Sequence, residues 1–60
     1  MVVEIKINGK SWFIVIDDDY TGIGETLAEA SRPDRMVSDF GTIEGRVSHA
    51  VWLIMSRNDL

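Results

Sequence analysis

The chain has 60 residues, six Lys or Arg against ten Asp or Glu, and no cysteine. This excludes a disulfide framework and a cysteine-based zinc site. The net charge of −4 opposes phosphate, so direct nucleic-acid binding is not expected. A chain this short buries only roughly 60% of its unfolded surface, and it needs a well-packed core or self-association. One domain spanning residues 1–60 is expected, with a homodimer on the small-scaffold argument.

Two apolar runs flank Asn8-Gly9, the pair that best tolerates the positive φ angles of a type I′ turn. A hairpin from Val2 to Asp17 follows. Its register sets Ile7 against Lys10, Ile5 against Trp12 and Val3 against Ile14. The two-residue period then gathers Val3, Ile5, Ile7, Trp12, Ile14 and Ile16 on one face. On the other face Val2 meets Val15, Glu4 meets Phe13 and Lys6 meets Ser11. That face is half apolar. Phe13 and Val15 either lie under a loop or belong to an interface patch.

Asp17 to Gly24 reads as a connector, because Asp ends a strand readily. Thr21 can cap a helix that starts near Gly22 or Ile23 and runs about ten residues. Ile23, Leu27 and Ala30 supply its apolar stripe. Arg32 suits its carboxyl end and Pro33 stops it.

Residues 35–56 read as a second hairpin about Glu44-Gly45. Met36, Phe40, Val47, Val51, Leu53 and Met55 would share one face, with Val37 and Trp52 on the other. A helix from Ser48 to Arg57 is the alternative for the same run. The β-branched and aromatic content favours the strand. The expected fold is therefore α+β: ββαββ, a four-stranded antiparallel sheet with one short helix packed on one face.

Charge is unevenly placed. Residues 11–31 hold Asp17, Asp18, Asp19, Glu25 and Glu29 with no Lys or Arg, a block of −5. Such a block attracts a protein partner with a basic surface. If both hairpins share a sheet, Phe13, Val15, Val37, Trp52 and Ile54 would make an apolar face that the lone helix leaves bare. That face would serve protein binding or a dimer, since tryptophan is enriched at hot spots.

Catalytic and cofactor readings are weaker. Asp17-x-Asp19-x-Thr21-Gly22 matches the opening of a calcium loop, but its twelfth position is Ala28 where a bidentate Glu is needed. Gly22-x-Gly24 lacks the third glycine and the basic residue of a phosphate turn. Ser48 and His49 would point to opposite strand faces, so no triad forms. His49 opposite Phe40 is a half-buried packing residue. No enzyme activity, cofactor or metal is expected. The longest apolar run, Ala50 to Met55, is far short of the ~20 residues that span a bilayer. No signal peptide is visible, and a cytoplasmic location suits the missing thiols. The sequence thus points to a small acidic binding module. One concrete form is an inhibitor that mimics nucleic-acid charge, a phage-type blocker of a DNA- or RNA-acting protein. The alternative is a homodimerising assembly subunit whose acids serve solubility.

Overall fold

A computed structural model describes residues 1–58. The chain forms β1 (Val2–Ile7), β2 (Lys10–Asp17), β3 (Tyr20–Gly24), α1 (Leu27–Ala30), a 3-10 turn (Pro33–Arg35), β4 (Met36–Ser38) and α2 (Ile43–Asn58). The class is α+β, with a four-stranded antiparallel sheet in the order β1-β2-β3-β4. The elements run βββαβα: Tyr20–Gly24, expected as a connector, is a strand, Met36–Ser38 keeps part of the first arm of the expected second hairpin, and a long helix replaces its second arm.

The β1–β2 hairpin has the register that Asn8-Gly9 dictates, from Val2 opposite Val15 to Ile7 opposite Lys10. Asn8 (φ 54°) and Gly9 (φ 78°) both sit in the left-handed region that a type I′ turn requires. Ile14 and Ile16 anchor the core, with Val3, Ile5 and Ile23 against them.

β2 turns directly into β3 through Asp18 and Asp19, with Asp17 opposite Tyr20. Thr21 and Ile23 share the face of Ile16 and Ile14. Gly22 and Gly24 share the face of Val15 and Phe13. These glycines end no helix and cap none. A Cβ at Gly22 would stand 2.0 Å from the Ala30 carbonyl oxygen, and one at Gly24 would stand 2.6 Å from the Ala30 nitrogen. The strand is glycine-rich because the backbone of α1 lies directly on it. The helix expected from Gly22 or Ile23 therefore shrinks to Leu27–Ala30, with Thr26 as its cap: the Thr26 Oγ1 accepts from the Glu29 N–H at 3.1 Å.

Residues 43–58 correct the strand reading. Thr42 caps the first turn of α2, its Oγ1 accepting from the Gly45 N–H at 3.0 Å. Glu44-Gly45 is thus a helical turn, not a hairpin turn. Val47, Ala50, Val51 and Ile54 fall at i, i+3, i+4 and i+7 and form the helix's inner stripe, with Ala50 and Ile54 fully buried. Burial of that stripe on Ile14 and Ile16 outweighs the β-propensity of the run.

The sheet consequently has a helix on each side. The long α2 covers the Ile14 face and the short α1 covers the Gly22 face. The bare apolar face expected from the sequence does not form, because Phe13 and Val15 lie half-buried on the α1 side. No helix among the described residues is long and apolar enough to cross a membrane.

A candidate acidic docking site

The turn from β2 to β3 is held from inside the protein by Arg46. This residue follows the α2 cap and is only 5% exposed. Its Nε donates to the Thr21 Oγ1 at 3.0 Å. Its Nη1 donates to the Asp18 carbonyl at 2.7 Å, and its Nη2 donates to the carbonyls of Asp17, at 3.1 Å, and Tyr20. The planar guanidinium presents several donors in a fixed fork, which a single ammonium cannot copy. Arg46 makes no ion pair among the described residues. Carbonyl dipoles take up its charge instead.

The carboxylates of Asp17, Asp18 and Asp19 stay exposed around this clamp. The turn is fixed through its backbone, so its side chains remain available. Asp39 extends the cluster. Its N–H donates to the Asp19 carbonyl at 2.7 Å, and its Oδ1 accepts from the Gly41 N–H at 3.3 Å. Its Oδ2 lies 3.8 Å from the His49 Nδ1. His49 is exposed on α2, a correction to its expected half-buried place opposite Phe40, and it stacks on Trp52 with ring centroids 6.4 Å apart. Asp39, Arg46 and His49 were not legible as site residues, since their neighbourhood depends on α2 crossing the sheet.

Glu25 and Glu29 lie elsewhere. They follow the far end of β3, about 20 Å from the aspartates at the usual strand rise. Glu25 is paired with Lys10, whose Nζ also sits 5.3 Å from the Trp12 ring centroid. The Glu29 Oε2 accepts from the Glu25 N–H at 3.3 Å. Both glutamates line a shallow cleft of about 240 Å³ with Trp12, Gly24, Arg35 and Arg57, where the charges are mixed. The sequence's single block of −5 is therefore two separate groups. In the aspartate group the exposed charges are carboxylates, and the cation among them, Arg46, is buried beneath the turn.

The apolar candidates also separate. Ile54 is fully buried, so it belongs to the core. Phe13 and Val15 face α1, whereas Val37 is exposed on the edge strand β4. Trp52 is 63% exposed on the outer side of α2. Among the described residues the most exposed large apolar side chain is Phe40, at 78%.

The calcium reading has a specific obstacle. The Thr21 hydroxyl is taken by Arg46, and Thr21 and Gly22 belong to a strand. No group of three or more His, Asp or Glu among the described residues could hold a metal ion. Gly22-x-Gly24 is likewise strand under α1, not a phosphate turn. Comparisons with protein-family models, with curated proteins and with solved structures find no match to this chain.

Proposed function

We propose that the chain is a non-enzymatic binding protein that engages a basic surface of a partner protein through Asp17, Asp18, Asp19 and Asp39. The observation that supports this reading is the Arg46 clamp. It holds the backbone of the turn and leaves the carboxylates of Asp17, Asp18 and Asp19 outside, with the half-buried Asp39 beside them. A rigid turn with exposed carboxylates loses little conformational freedom on docking and steers a basic partner toward it. One form of such a partner is a DNA- or RNA-acting protein, whose phosphate groove the carboxylates would occupy in the manner of a phage-type inhibitor. A reducing cytoplasm suits this role. Glu25 and Glu29 take no direct part, because Lys10 and the neighbouring arginines balance them.

The test is affinity capture with the natural chain and with an Asp17→Asn/Asp18→Asn/Asp19→Asn variant. A true partner is held at about 50 mM salt and released at about 300 mM, where screening shortens the reach of charge. The variant fails to hold it. A partner retained equally by both chains and at both salts defeats the reading.

A second reading, an assembly subunit whose acids serve solubility, draws on the exposed Phe40 and Trp52. Under that reading Trp52→Ala abolishes capture and the aspartate variant does not.

A further inference from the structure

We infer that the outer edge of β1 pairs with the same edge of a second copy, joining two sheets into one continuous antiparallel sheet about a two-fold axis at Ile5. This goes beyond the acidic docking site, which lies at the β2–β3 turn and is untouched by it.

The sheet has two edges, β1 and β4. β4 is three residues long, too short to template much. β1 is six residues of regular strand, and among the described residues nothing pairs with its outer side. Which backbone groups are free follows from its pairing with β2. Met1 and Ile16 exchange both backbone hydrogen bonds, at 2.8 Å each. Bonded and non-bonded pairs alternate along an antiparallel ladder, so Val3, Ile5 and Ile7 also bond to β2. The N–H and C=O groups of Val2, Glu4 and Lys6 therefore point outward.

These free residues are self-complementary in one register only. With Ile5 opposite Ile5 of the other copy, Glu4 of each chain faces Lys6 of the other. Each such pair exchanges two backbone bonds and brings opposite charges to about 5 Å between Cβ atoms. On the other face Val3 meets Ile7, which extends the half-buried apolar row beneath α2. Sliding by one residue per chain in either direction sets Glu4 against Glu4, or Lys6 against Lys6. Like charges directly opposite are unfavourable. Sliding by an odd offset turns apolar residues toward the charged face. The charges thus act as a register key for this edge. An edge of this length buries a small interface, so a micromolar rather than nanomolar dimer is expected.

Sedimentation equilibrium tests this with charge reversals, and circular dichroism checks folding. Glu4 and Lys6 are exposed, so their substitution leaves the fold intact. Glu4→Lys alone and Lys6→Glu alone each weaken dimerisation about tenfold or more, because the two-fold axis repeats every clash. The Glu4→Lys/Lys6→Glu double variant restores it. An equimolar mixture of the two single variants forms a heterodimer, since every facing pair is then opposite in sign. A natural chain that stays monomeric at up to about 1 mM overturns the proposal. So does a dimer that is indifferent to both reversals, or a mixture that does not associate. The Asp17, Asp18 and Asp19 substitutions leave this dimer unchanged, which keeps its failure distinct from failure of the docking reading.

Discussion

Arg46 and Thr21, separated by 25 positions in the chain, are joined by a 3.0 Å hydrogen bond in the interior. The same guanidinium satisfies the carbonyls of Asp17, Asp18 and Tyr20. One helical side chain therefore supports a whole turn. Removing it takes the donor from one buried and three part-buried acceptors at once.

Arg46→Ala is expected to destabilise the fold by about 3 kcal/mol, from the loss of one buried and three part-buried hydrogen bonds to a charged donor together with its packing. Arg46→Lys keeps the charge but loses the fork, and it recovers less than half of the difference. Urea unfolding of the three chains measures both. A lysine variant as stable as the natural chain would show that charge, and not geometry, holds the turn.

The exposed aspartates should behave oppositely. Asp17→Asn/Asp18→Asn/Asp19→Asn is expected to change stability by no more than about 0.5 kcal/mol. The turn is held through carbonyls that the substitution does not alter. Asn also tolerates the φ of 23° found at Asp18. Thermal melts at equal concentration check this. A large loss would mean that the carboxylates themselves are structural.

Gly22→Ala is expected to destabilise by about 2 kcal/mol or more, since its methyl group would overlap the Ala30 carbonyl. Gly41→Ala is the control. Its Cβ would meet its nearest neighbour, the Asp39 Oδ1, at 3.5 Å, an ordinary contact. Chemical denaturation of both variants ranks them. Equal stability would remove α1 from its place on β3.

The two faces of α2 should respond differently. Ile54→Ala opens a cavity in the core and costs about 3 kcal/mol. Trp52→Ala removes an exposed side chain and costs about 0.5 kcal/mol or less. Fluorescence gives an independent check. Iodide quenches Trp52 readily and Trp12, 7% exposed, poorly. In Trp52→Phe the remaining emission is expected to be blue-shifted and protected. Equal quenching of both indoles would contradict the helix orientation.

The first hairpin was legible down to each residue pair. Asn8-Gly9 fixes the turn and the alternation fixes the faces, so local chemistry alone decides the outcome. β3 was hidden for a physical reason. Its Gly22 and Gly24 weaken strand propensity, and they are needed only because α1 rests its backbone there. That requirement exists in the folded molecule and nowhere in the local sequence. The α2 run carried both periods at once. Its β-branched residues favoured a strand, while Val47, Ala50, Val51 and Ile54 already had helical spacing. The Thr42 cap settles it, but Glu44-Gly45 imitates a hairpin turn. For the site, the three aspartates were legible from charge alone. Their separation from Glu25 and Glu29 was not, because it follows from the unseen strand between them.

The Arg46 clamp also bears on how the molecule opens. α2 cannot lift from the sheet without releasing the β2–β3 turn, and the turn cannot fray without exposing a buried cation. Hydrogen exchange should therefore find the amides of β3 and of the first turns of α2 opening together as one cooperative unit. Within a single chain the outward amides of β1 have no such tie and exchange long before that unit yields, whereas pairing with a second copy protects those of Glu4 and Lys6.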